Sequence, residues 1–160
     1  MNFNLYTISQ NGLLSQTYDV RQDGHVVYTA KRTFFFKKCT LFDAYGAEIF
    51  VIRRDFAIFQ LKFTIEHEGR VYASIVSKGA FSNGLNIHVE EDLYEVRGTF
   101  WMSEFTILKN GMEIAKISRK KFSMKDKIGI AISENQDDEL ILAFVFVIEM
   151  MIRVKKSKSG

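Results

Sequence analysis

Apolar and polar residues alternate with a period of two along most of this chain, in short stretches separated by turn dipeptides. This is the pattern of half-buried β-strands. Asp23-Gly24, Tyr45-Gly46, Glu68-Gly69, Asn83-Gly84 and Asn110-Gly111 each offer the positive-φ position that a tight hairpin requires. The alternation predicts strands at 3–8, 17–21, 25–30, 38–42, 47–53, 57–66, 70–77, 85–89, 93–99, 104–108, 112–119 and 128–133, about twelve in all. The pattern then changes, because Leu140 to Ile148 is an unbroken apolar run. A helix made from it has no polar face, so something apolar must surround it.

A membrane does not suit that run. Extended to Ile152 it makes about 20 Å of helix against about 30 Å of hydrocarbon, and Glu149 interrupts it. The sheet offers another partner. About twelve antiparallel strands hide both edges by closing into a barrel, and a barrel wider than about eight strands is not filled by its own side chains. The expected fold is therefore mainly β: a closed antiparallel barrel of about twelve strands around a central hydrophobic C-terminal helix. Ser133 to Glu139 supply cap-forming and acidic residues for the positive end of the helix dipole, and Arg153, Lys155 and Lys156 suit the other end. A single domain is expected over 1–153, with a basic flexible tail over 154–160.

Fifteen Phe and six Tyr strengthen the β reading, and the lack of proline leaves the turns to Gly, Asn and Asp. The only cysteine, Cys39, excludes an intrachain disulfide and a thiolate zinc site and reads as a buried structural thiol. With no secretory pattern at the N-terminus, the expected location is cytoplasmic, peripheral to a membrane where one is bound. A net charge of +3 with interspersed signs permits attraction to phosphates without demanding it.

Gly46-Ala47-Glu48-Ile49 through Ile52 and Arg54 is echoed by Gly111-Met112-Glu113-Ile114 through Ile117 and Arg119. The spacing is too long for a solenoid unit and suggests related hairpins within one barrel. These segments also carry a family likeness. Tyr18-Asp19-Val20-Arg21-Gln22-Asp23-Gly24, Leu41 to Ile49 with Ile52-Arg53-Arg54, Tyr94-Glu95-Val96-Arg97-Gly98 and Gly111 to Lys120, followed by the apolar helix, resemble the LURP-one-related family over residues 17 to 152. The resemblance implies the tubby C-terminal-like fold, a twelve-stranded barrel around a central helix shared with phospholipid scramblases. It implies no enzyme activity.

The residues themselves name no catalytic group and no cofactor. There is no glycine-rich phosphate loop, nucleophile elbow or dinucleotide fingerprint. His25, His67 and His88 lack metal-ligand spacing, and Glu134 to Glu139 lacks the glycine and ligand spacing of a calcium loop, so no metal site is expected. The candidate ligand-binding residues are basic strand ends: Lys37, Lys38, Arg53, Arg54, Arg119, Lys120 and Lys121. Brought to one rim they would hold phosphate groups through charge-assisted hydrogen bonds; scattered, they keep strand ends soluble. Lys31 to Lys38 interleaves bases with Phe34-Phe35-Phe36, and three adjacent Phe cannot all face inward in a strand, so one points outward or the segment bends. That segment reads as a lysine-guarded strand more readily than as a membrane or base-stacking surface, and Trp101 reads as packing. The expected function is a non-catalytic binding or scaffold protein recognising anionic phospholipid or phosphoinositide headgroups through a basic rim, with no nucleic acid partner and no stable transmembrane insertion. The alternative is a scramblase-like membrane-active protein whose C-terminal helix inserts in the bilayer.

Overall fold

The computed structural model describes residues 2–12, 16–55, 61–77, 84–98, 103–122 and 125–159. Twelve strands run in order as β1 (Phe3–Gln10), β2 (Thr17–Gln22), β3 (His25–Arg32), β4 (Lys38–Asp43), β5 (Glu48–Asp55) and β6 (Leu61–His67). They continue as β7 (Arg70–Ser77), β8 (Gly84–Val89), β9 (Asp92–Arg97), β10 (Glu104–Lys109), β11 (Met112–Phe122) and β12 (Lys125–Ser133). A single α-helix among the described residues, α1 (Asp138–Ser159), follows, and one turn of 3-10 helix, Phe34–Phe36, joins β3 to β4. Each strand pairs antiparallel with its neighbours, and β1 pairs with β12, so the sheet closes on itself as expected.

The helix is the core. Every residue from Leu140 to Ile152 is buried, so α1 has no solvent face along its apolar run. It meets the inward positions of the strands, including Ile8, Val20, Leu41, Ile52, Phe63, Ile75, Ile87, Ile107, Ile117 and Ile132, all essentially inaccessible. Rings fix its rotation: Phe146 packs edge-on against Tyr18 at 5.7 Å and Phe144 against Tyr94 at 5.1 Å between centroids. The helix continues to Ser159, past residue 153, and Val154 is buried.

The two ends of the barrel are built differently. At one end the connections are tight. Asp23-Gly24, Glu68-Gly69 and Asn110-Gly111 place both central residues at positive φ (51° and 80°, 51° and 76°, 50° and 84°), the backbone of a type I′ hairpin. The pairing of β2 with β3, β4 with β5, β6 with β7 and β10 with β11 then slips by one residue just after the turn. Such bulges add the twist that helps a sheet curl closed. The two similar sequence segments are β5 and β11, on opposite sides of the ring and bulged at equivalent positions, Ile49 and Ile114.

One turn expectation fails. Asn83 lies outside the described residues, and Gly84 sits inside β8 rather than at a positive-φ turn position. A Cβ there would stand 2.7 Å from the Val96 carbonyl oxygen, so Gly84 permits close strand approach. The β8–β9 turn is made instead by Glu90, at φ 53°, and Glu91, with no glycine to announce it. Trp101 also lies outside the described residues.

The helix begins at the tight-turn end. Asp137 caps it, its Oδ1 accepting from the Leu140 amide at 3.1 Å. Asp138 accepts from the Tyr6 hydroxyl at 2.6 Å and the Asn4 amide at 2.8 Å, and Glu139 accepts from Tyr28 at 3.4 Å. Burial, then the hydrogen bond to Asp138, pushes the Tyr6 phenol well above its usual range. Burial and the Glu139 charge push Tyr28 up to about 12.

Phe144→Ala should cost about 3–5 kcal/mol in urea unfolding, because the helix is enclosed on all sides and cannot close the cavity. Alkali should also weaken the fold. Above pH 10 unfolded tyrosines ionise while Tyr6 and Tyr28 keep their protons, so the stability they contribute is complete below 10 and lost as pH rises. Tyr28→Phe should make that decline shallower in pH-dependent urea titrations.

Candidate functional site

The strand register brings four of the expected basic residues together. Lys38 on β4 stands opposite Arg53 on β5, and the Arg54 amide donates to the Lys37 carbonyl at 2.9 Å. Lys37, Lys38, Arg53 and Arg54 therefore share one rim, at the end of the barrel away from the tight turns. Lys120 and Lys121 lie at the same end, where β11 pairs with Lys127 and Asp126 of β12. Their side chains fall outside the described part of the structure.

Alternation splits this set. Arg53 points outward, half exposed, and its Nε donates to Glu66 Oε1 at 3.1 Å. Arg54 follows Ile52 on the inner face and stands opposite buried Phe63, so it leans toward the barrel mouth.

Arg119 does not belong to the exposed rim. It follows inward-facing Ile117 and approaches the helix, its Nη2 lying 3.0 Å from Glu149 Oε2, with side-chain exposures of 14% and 6%. One turn on, Arg153 Nε donates to Glu149 Oε1 at 3.0 Å. The single acid in the apolar run is therefore held between two guanidinium groups. Removing one arginine leaves the buried carboxylate with a single cation, and removing both would strand its charge. Nearby, Arg32 Nε donates to the Tyr18 hydroxyl at 3.1 Å. Burial raises the Tyr18 pKa, and the guanidinium partly offsets it. The signal for this cluster was present in the chain: Arg119 shares the parity of Ile117, and the oily run holds one acid that must find a cation.

Charge is segregated between the two ends. Asp23, Asp43, Glu48, Glu68, Glu90, Asp92 and the acidic start of α1 crowd the tight-turn end, where Lys109 pairs with Asp92 at 3.4 Å. Lys31, Arg32, Lys37, Lys38, Arg53 and Arg54 lie at the other, with Asp55 and Glu104 among the few acids. Both match the helix dipole, acid at its N-terminus and base at its C-terminus.

The β3–β4 connection crowns the basic end. Phe34 is 73% exposed and Phe35 77%, and the segment bends as the three adjacent Phe required. Phe35 takes φ 60° and ψ 17°, a left-handed conformation costing an aromatic residue about 1–2 kcal/mol. The bend is clamped from both sides: the Thr33 amide donates to the Lys38 carbonyl at 2.9 Å, and the Lys38 amide donates to Thr33 Oγ1 at 3.1 Å.

Two hollows of about 600 and 540 Å³ lie on the outer wall, one over β10, β11, β12 and β1, the other over β7, β8 and β9, and neither is lined by Lys37, Lys38, Arg53 or Arg54. Among the described residues no cluster of His, Cys, Asp and Glu is suited to a metal ion. Cys39 is buried, and burial pushes its thiol up to about 12, which leaves it without thiolate character. No helix among the described residues is long and apolar enough to cross a membrane.

These features define a helix-filled β-barrel with one cationic end. The chain belongs to the LURP-one-related family, whose model matches residues 5–149. Its structure is similar to that of an Arabidopsis thaliana protein determined by X-ray crystallography, at 14% identity and a TM-score of 0.67, covering 91% of this chain and 90% of that one. At such identity the likeness shows the fold alone. No curated protein sequence matches the chain.

Arg119→Ala should lower stability by about 2–3 kcal/mol, somewhat less than a full buried-pair loss because Arg153 still faces Glu149. Arg53→Ala, which breaks only the rim pair with Glu66, should stay within about 1 kcal/mol. Paired urea titrations of the two variants separate the inner arginine from the outer one.

Proposed function

We propose that this is a non-catalytic binding protein that recognises the anionic headgroups of phospholipids at a membrane surface, using the basic end of its barrel. The observation that carries the reading is the meeting of Lys37, Lys38, Arg53 and Arg54 on adjacent strands, at the end of the molecule opposite the acidic tight turns and helix start. A bilayer is an extended anionic surface, and cations spread over adjacent strand ends complement it. Orientation follows as well, since the acidic end is repelled while the basic end is drawn in. Family membership supports a barrel used for binding. In this reading the protein is cytoplasmic and peripheral.

The geometry gives less support to a scramblase-like inserting helix. Insertion of α1 would require extracting its buried apolar surface from the barrel and exposing the inward face of all twelve strands.

Charge reversal tests the proposal. Lys37→Glu/Lys38→Glu/Arg53→Glu should reduce co-sedimentation with anionic vesicles at low salt by well over tenfold, given about 1 kcal/mol for each cation near the surface. Arg70→Glu, at the tight-turn end, should bind like the wild type. Equal binding to neutral and anionic vesicles, or indifference to the triple reversal, would contradict the reading.

A further inference from the structure

Among the described residues, the exposed large apolar side chains Leu5, Val26, Tyr45, Val71 and Met112 lie toward the tight-turn end or on the wall beside it. Phe34 and Phe35 are different. They are adjacent in sequence, more exposed than any of these except Tyr45, and they stand on the basic end beside Lys37. Isolated exposed apolar residues need no explanation, but an exposed pair beside a cluster of cations does.

The surrounding structure holds this pair outward. Thr33 and Lys38 close the bend through two hydrogen bonds, the Arg54 amide ties Lys37 to β5, and the 3-10 turn lies against α1. Phe35 accepts a left-handed backbone that glycine or asparagine would adopt more easily. A turn selected only for stability would place one of those residues here, so the strain and the exposure together point to use.

We propose that the Phe34–Phe35 turn is a membrane-insertion wedge: the two rings enter the interfacial region of an anionic bilayer while Lys37, Lys38 and Arg53 stay among the headgroup phosphates. The inference rests on the anionic-surface reading above and adds the element that penetrates. Its chemistry is that of interfacial anchoring, in which aromatic rings bury shallowly and flanking long cations keep their charges in the headgroup layer. Insertion also predicts a different salt dependence. Attraction between exposed charges is screened when the Debye length falls to a few ångströms, whereas apolar burial is not.

The test uses the full chain and vesicles of phosphatidylglycerol with phosphatidylcholine. Phe34→Ser/Phe35→Asn removes both rings and gives the strained position a residue that tolerates it, so the variant should melt no lower than the wild type. At low salt it should bind within about threefold of the wild type, since the cations remain. At roughly 0.5 M salt the wild type should retain binding and the variant should lose at least about tenfold. In a second arm, Phe35→Trp should be quenched by vesicles carrying brominated acyl chains beyond any quenching of wild-type Trp101. Wild-type binding that vanishes at high salt to the same extent as the variant's, with Phe35→Trp unquenched, overturns the wedge and leaves electrostatic docking standing. Failure of the wild type to bind at low salt overturns both. Capture by a protein partner that depends on Phe34 and Phe35, with no vesicle quenching, also overturns the wedge.

Discussion

A helix with no polar face must be kept from water, and a twelve-stranded barrel must be filled; each requirement is met by the other. Leu140 to Ile152 present apolar side chains in every direction except at Glu149, and the inward isoleucines and phenylalanines of the strands surround them. The hydrophobic contribution comes from two surfaces, neither of which would be stable in solvent alone. This coupling explains the spacing of the whole chain. Hairpins come first, each too small to bury its own inner face, and the segment that fills their common interior comes last.

Enclosure also governs the polar residues. A helix threaded through a barrel ends at two mouths, and this molecule closes each with a different network. Asp138 and Glu139 take hydrogen bonds from Asn4, Tyr6 and Tyr28 where the helix enters. Glu149 takes Arg119 and Arg153 near where it leaves. The acid-to-base order satisfies the helix dipole, and through the two classes of connection it extends to the whole barrel. Charge segregation, which the proposed function uses, thus begins as a consequence of how the helix is held.

Much of this was legible in the chain because strands and their turns are local. Period-two alternation located the strands to within a few residues wherever they are described, the expected 57–60 and 99 lying outside the described residues, and Asp23-Gly24, Glu68-Gly69 and Asn110-Gly111 announced their hairpins. Glu90-Glu91 did not, since a turn without glycine has no compositional mark, and Gly84 misled because close strand approach and positive φ both favour glycine. The triple Phe is not the lysine-guarded strand that its flanking bases suggested but one turn of 3-10 helix, since three adjacent rings cannot all face inward in a strand. Its exposure and left-handed kink, however, depend on Thr33 and Lys38 meeting across the loop. Site membership was hardest. Arg53 and Arg54 are neighbours in sequence with opposite facing, and Arg119, equivalent to Arg54 by the internal similarity, is drawn into an ion pair because α1 places Glu149 beside it. Register and a partner 30 residues away decided its role.

The most direct measurement is amide hydrogen exchange along α1, with and without anionic vesicles. If the helix is the enclosed core, amides from Leu142 to Val147 should exchange only through global unfolding, be among the slowest in the protein, and keep their protection when lipid is added. Any vesicle-dependent change should fall instead around residues 33–38. Rapid exchange in α1, or loss of its protection on adding lipid while the strands stay protected, would show a helix that leaves the barrel and would contradict the account.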